Sequence, residues 1–194
     1  LQAKGQLNGS LSKPHLNARF NAKALSIADY AVATMNGEVD IELFSWQKIN
    51  ATINAQSLKI KERFIKSVDI TADNHTIKAN VISDIASALL HINGEITTKG
   101  AIGRIEKAEL ISSRYSDWKL KSPVNLKISE QQYLFDPLCW ISINGNICTT
   151  VRHVNNVWQS QLEINKLPLA LLSLWLPPDI EPEGFVNATA EFKL

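Results

Sequence analysis

Ile49-Asn50-Ala51-Thr52-Ile53-Asn54-Ala55 sets an apolar residue at every second position with a polar one between. Side chains alternate across an extended backbone, so this heptapeptide reads as a strand with one apolar and one wet face. The same period returns at Leu16, Ala18, Phe20, Ala22 and Ala24, then at Val68, Ile70 and Ala72, and at Ile77, Ala79 and Val81. Leu90, Ile92, Gly94 and Ile96 continue it, followed by Val124, Leu126 and Ile128, and by Ile141, Ile143, Gly145 and Ile147. Trp158, Ser160, Leu162 and Ile164, and finally Val186, Ala188, Ala190 and Phe192, close the series. The fold class is all-β. Many one-sided strands with little helix must bury their faces on one another, as a sandwich, a barrel or a folded-over sheet. A dry closed core and an open apolar trough share this pattern.

Helical signals are few. Ile85, Ala88, Leu89 and Ile92 have helical spacing, but Ile92 also fits the next strand. The Ala-rich stretch Lys23 to Met35 suits either state. Leu167-Pro168-Leu169-Ala170-Leu171-Leu172-Ser173-Leu174-Trp175-Leu176 is the better helix candidate, with Pro168 allowed in a first turn and Pro177-Pro178 closing it.

An apolar-Asn-Gly-x-apolar unit recurs at Leu7 to Leu11, Met35 to Val39, Ile92 to Ile96 and Ile143 to Ile147. Asn-Gly is a favoured two-residue hairpin turn. Here the flanking apolar residues stay in phase through the glycine, which favours a strand that bends or is closely approached at that point. Recurring similar units point to an elongated, quasi-repetitive β architecture.

The 194 residues carry 20 Lys+Arg against 19 Asp+Glu, a net charge of +1, and 45% are hydrophobic. That balance speaks against a nucleic-acid binder, which needs a basic face, and no Lys/Arg run stands out as a patch. It also excludes intrinsic disorder. The chain is read as one unit over 1–194, with a division into 1–107 and 108–194 as the variant. It has no apolar run of bilayer-spanning length. Leu1 opens directly into patterned sequence without a leader, and Val186 to Leu194 stops inside an alternating run, as expected of an internal fragment.

Residues with chemistry give no site. His15, His75, His91 and His153 lack Cys or carboxylate partners at ligand spacing. Lys99-Gly100-Ala101-Ile102-Gly103 lacks the length and ending of a phosphate loop and reads as a turn. No enzyme, cofactor or metal is expected. Cys139 and Cys148 are the only cysteines. Two antiparallel segments around the intervening Asn-Gly would bring them into bridging range, and a bridge closing so short a loop contributes roughly 2–3 kcal/mol. Two buried free thiols are the alternative. A bridge implies an oxidising compartment.

From Ala108 onward the order of features becomes specific. Asp117-Trp118-Lys119-Leu120-Lys121-Ser122-Pro123 precedes the strand Val124 to Ser129. The Cys139 and Cys148 pair follows, then Trp158 and the alternating Gln159 to Asn165. Leu167-Pro168-Leu169 leads into Leu174-Trp175-Leu176-Pro177, and Glu183-Gly184 opens a new strand. This order resembles the central region of the TamB family, AsmA-like periplasmic proteins of Gram-negative bacteria anchored in the inner membrane. The resemblance covers about the C-terminal half; the N-terminal half is similar only in its repetitive style. It departs from the family in its sparse glycine, and the family's outer-membrane docking domain is not identifiable in these residues.

The resemblance implies a β-taco, a long sheet curled into an apolar trough, with one short apolar helical segment. It further implies a periplasmic conduit carrying phospholipid from inner to outer membrane, its partners being acyl chains and, for the full-length protein, the outer-membrane barrel protein TamA. Leu16, Phe20, Ile49, Ile53, Ile92, Ile96, Val124, Leu126, Ile143, Ile147, Leu162 and Ile164 would then line the trough. Leu171, Leu174 and Trp175 would plug or rim it, and Cys139 and Cys148 would form a disulfide. Ordinary β-core packing explains the same lining residues. The rival function is a translocation and assembly factor for outer-membrane β-barrels or autotransporters, acting through a strand edge or the apolar groove. A structural spacer with a closed core is the third reading.

Overall fold

The computed structural model describes residues 1–43, 48–61, 63–97, 100–112, 116–129, 132–154, 156–174 and 182–194. They form a single antiparallel sheet of 14 strands. In chain order these are β1 (Gln2–Ser10), β2 (Lys13–Ile27), β3 (Tyr30–Glu42), β4 (Ile49–Ile60), β5 (Arg63–Ala72), β6 (Thr76–Ser83) and β7 (Ala86–Thr97). Then come β8 (Gly100–Ser112), β9 (Trp118–Leu120), β10 (Val124–Ser129), β11 (Gln132–Ile141), β12 (Asn146–Val154), β13 (Val157–Pro168) and β14 (Phe185–Lys193).

Short connections make neighbours in sequence neighbours in the sheet. β9 and β10 are the exception, and they share one place. β8 pairs with β10 through Gly100 to Ile105 and with β9 through Glu109 and Leu110, while β11 likewise pairs with both. They are two halves of one strand, parted at Lys121 to Pro123, where proline has no N–H to give a ladder.

Directly paired residues project from the same face, and the register collects the alternation into transverse rows. One row runs Ala3, Phe20, Gly37, Ile53, Ile70, Ala79, Leu90, Ala108. A second runs Ala18, Val39, Ala51, Ala72, Ile77, Ile92, Ile105, Val124. The row between them, Lys4, Arg19, Glu38, Thr52, Thr71, Lys78, His91, Lys107, belongs to the other face. In the C-terminal half, Trp140, Ile147, Ile164 and Ala188 extend the apolar face.

No second layer covers that face among the described residues. The chain exposes 13297 Å², whereas a compact body of 21.6 kDa exposes about 9,200 Å². The buried hydrophobic residues are Ala22, Ala55, Ala108, Trp118 and Val124.

Three glycines of the repeat, Gly9, Gly37 and Gly94, sit within strands, as phase favours. A Cβ on Gly37 would lie 2.5 Å from Phe20 Cζ and 2.6 Å from the Thr52 carbonyl oxygen, so the Phe20 ring rests where a side chain would stand. Gly94 faces Gly103 across the ladder, and a Cβ there would lie 2.7 Å from Gly103 Cα. Small residues on both strands let the backbones crowd together at that point.

Several expectations are corrected. The apolar segment forms no α-helix: Leu167 and Pro168 pair with Val186 and Phe185 as the end of β13, leaving a 3₁₀ helix at Leu169–Leu174. The Leu169 N–H donates to the Gly184 carbonyl at 3.0 Å, tying the start of that turn to β14. Leu176 and Pro177-Pro178 lie outside the described residues. Lys23 to Met35 is β2, a turn and β3, and Ala88 to Ile92 belongs to β7. Gly100 to Gly103 is strand, not turn; Lys99 lies outside the described residues. Ile143 leaves the alternation because Ser142 to Gly145 turns the chain between β11 and β12, with the Ser142 N–H donating to the Gly145 carbonyl at 2.9 Å.

Candidate functional site

The candidate site is the uncovered apolar face, which is concave between β6 and β12. There a concavity of about 710 Å³ is lined by Ala79 and Val81 of β6, Ala88, Leu89 and Leu90 of β7, and Ala108, Glu109 and Leu110 of β8. Trp118 of β9, Trp140 of β11, Ile147 of β12 and Leu171 of the 3₁₀ helix complete it. Two rows meet at its floor: Ala79, Leu90, Ala108 and Val81, Ala88, Leu110, Trp118. Alanines leave the room that the tryptophans and Leu171 border. The lining is almost wholly hydrocarbon, which offers contact without hydrogen bonds that would hold a ligand in one pose.

The register sorts the predicted lining residues. Leu16, Phe20, Ile49, Ile53, Ile92, Ile96, Val124, Leu126, Ile147, Leu162 and Ile164 all fall on the apolar face. Ile143 does not; it stands in the β11–β12 loop, 92% exposed. Val124 is on the face but 1% exposed, so it packs as core and offers no surface to a ligand. Of the predicted residues, Ile147 and Leu171 reach the concavity. Leu174 ends the 3₁₀ helix, and Trp175 lies outside the described residues. Alternation missed the two rows' convergence on Trp118 and Trp140, since a period of two names a face and not where that face is concave.

Further along the face an aromatic row crosses β11, β12 and β13. Tyr133 pairs with His153 and His153 with Trp158. The His153 and Trp158 rings stack with centroids 4.4 Å apart, and Tyr133 and Trp158 stack at 5.6 Å. His153 Nδ1 is buried without a hydrogen-bond partner in the structure.

Behind the concavity, Cys139 and Cys148 are a directly paired couple joined by a disulfide, which settles the open choice of the sequence. They adjoin Trp140 and Ile147, so the bridge fastens the strands that carry one wall.

The polar face is dressed with ion pairs. Arg19 Nε lies 3.0 Å from Glu38 Oε1, and Lys107 Nζ lies 2.9 Å from Glu109 Oε2. Asp40 is flanked by His15 and by Lys48, whose Nζ is 3.1 Å away. The Lys48 hydrogen bond, with help from His15, holds the Asp40 carboxyl below its ordinary range. Asp73 is lowered too, by the backbone N–H groups of His75 and Thr76 at 2.8 and 2.7 Å. Both are ordinary turn and surface arrangements, and no group of metal-ligating residues forms among the described residues.

Comparison with known proteins adds the family. The family model described as TamB, N-terminal domain, matches residues 1–194, the whole chain and not the C-terminal half alone. The domain is thus the N-terminal one, where the residue order pointed to the central region. No curated protein and no solved structure matches.

Proposed function

We infer the function from this premise: the chain belongs to the TamB family, through that family's N-terminal domain, and so to a family with a role in lipid or protein transport. The reading we propose is a segment of a periplasmic conduit along which phospholipid passes from the inner to the outer membrane. The observation that carries it is an apolar face continuous from β1 to β14 with no layer over it among the described residues.

An acyl chain crossing water loses about 0.8 kcal/mol of shielding for each CH₂ left wet. A hydrocarbon wall without donors or acceptors supplies that shielding and leaves the chain free to slide. Head groups stay hydrated outside. In this reading the right-handed twist of successive strands curls the sheet toward its apolar side, the alanine rows and the Gly94 and Gly103 contact leaving space for the curl. Leu171 rims the concavity. The role is non-catalytic and needs no cofactor; the full-length protein is membrane-anchored and works with TamA.

The second reading is assembly of outer-membrane β-barrels, in which the same apolar face would hold client strands by their side chains.

Photocrosslinking from p-benzoyl-phenylalanine at Ile53, Leu126 and Leu90, with Lys78 on the polar face as control, separates them. Lipid adducts at the three apolar positions and none at Lys78 are expected. Adducts to outer-membrane protein strands at those apolar positions, in place of lipid, would favour the assembly factor. A folded protein without adducts of either kind would overturn the conduit.

A further inference from the structure

We propose that the end of the sheet formed by the β2–β3, β4–β5 and β6–β7 turns docks on an anionic phospholipid surface. The turns are laced together: the Lys61 N–H donates to the Asp29 carbonyl at 2.9 Å, and the Asp84 N–H to the Phe64 carbonyl at 3.4 Å. Three hairpin tips therefore present one surface.

That surface combines two properties. Ile27, Tyr30, Ile60, Phe64 and Ile82 stand there between 37% and 67% exposed. Interleaved with them, Lys59, Lys61, Arg63 and Lys66 are exposed, and the ion pairs among the described residues use other cations. The segment from Lys59 to Lys66 holds these four cations against Glu62 alone, within a chain of net charge +1; Asp29 and Asp84 are the acidic groups on the adjoining turns.

The opposite end differs. There Asp40 is paired with His15 and Lys48, and His75 faces Glu95 at 4.0 Å. Free cations among exposed aromatic and aliphatic side chains fit the boundary between head groups and acyl chains, where basic residues meet lipid phosphates and Tyr, Phe and Ile enter the interface. Each Lys or Arg near an anionic membrane adds about a fivefold gain in partitioning. A nucleic acid would use the cations and leave the apolar side chains without a role. This surface lies at the sheet's end, and its docking does not depend on lipid occupying the apolar face.

The test is co-sedimentation of the intact chain with phosphatidylcholine vesicles, with and without phosphatidylglycerol. Binding should require phosphatidylglycerol, weaken as salt is raised, and fall by more than about thirtyfold in Lys61→Glu/Arg63→Glu. Lys78→Glu should bind as the parent does. Should the double reversal misfold, Lys59→Gln/Lys66→Gln takes its place and should lower binding about twenty-five-fold. Equal binding to both vesicle types, no binding to either, or variants binding like the parent would each overturn the proposal. Crosslinking at Ile53, Leu126 and Leu90 reads the apolar face separately, so the two proposals fail independently.

Discussion

Gly37 and Phe20 show how much one missing side chain does in this sheet. The Phe20 ring lies across the Gly37 backbone, where even a methyl would meet ring carbon and carbonyl oxygen below 3 Å. The aromatic covers a position that glycine leaves bare, a way of rescuing glycine inside a strand. Gly37→Ala should therefore destabilise by about 1–3 kcal/mol, the cost of overpacking a tight site. Thermal unfolding followed by circular dichroism should show the lowered midpoint, and Gly37→Ala/Phe20→Leu should recover part of it. An unchanged midpoint would mean the close approach is not a constraint. The sequence already singled out Gly37 and Gly94 by their phase. It did not separate them from Gly145, which shares the unit yet sits in a turn, because the choice depends on which strand lies alongside.

At the scale of elements, the β11–β12 hairpin is the most heavily fastened. Its disulfide joins paired residues, and the adjoining Trp140 and Ile147 border the concavity. Closing so short a loop contributes roughly 2–3 kcal/mol. Cys139→Ser/Cys148→Ser should lower amide protection in β11 and β12 by hydrogen exchange and leave β2 to β4 near parental values, since each strand leans only on its neighbours. Uniform loss over the sheet would contradict that locality. Element existence was legible from period two almost throughout. The exceptions have local causes: the apolar run from Leu167 carried helical composition, but pairing of Leu167 and Pro168 with β14 claimed its start and left only a 3₁₀ turn. Ile143 kept the strand phase on paper while the chain reversed around it.

For the whole molecule, the open face has an energetic signature. In a closed core, a polar residue in place of Ile70 would be buried without partners and cost several kcal/mol. On a face with solvent access, Ile70→Asn should cost no more than about 1–2 kcal/mol, measured by urea unfolding, while reducing lipid crosslinking at Ile53. A loss near 4 kcal/mol would mark a closed core. The sequence carried the two-faced sheet but not its concavity, because Trp118 and Trp140 converge through register and twist, neither of which alternation encodes. It also hid the basic tip, since Lys59 to Lys66 dissolves into a balanced total charge and becomes a surface only when three turns are tied together.

The pairing of each strand with its chain neighbours bears on how such a protein changes over evolutionary time. In a meander, duplicating one hairpin adds two strands and two backbone crossings while every other register stays as it was. The apolar side keeps its parity across the insertion, so the added piece joins the same surface without redesign. Length becomes an adjustable quantity, set in steps of about two strand spacings, close to 10 Å each. A molecule of this construction can be fitted to the width of the space it serves by counting hairpins.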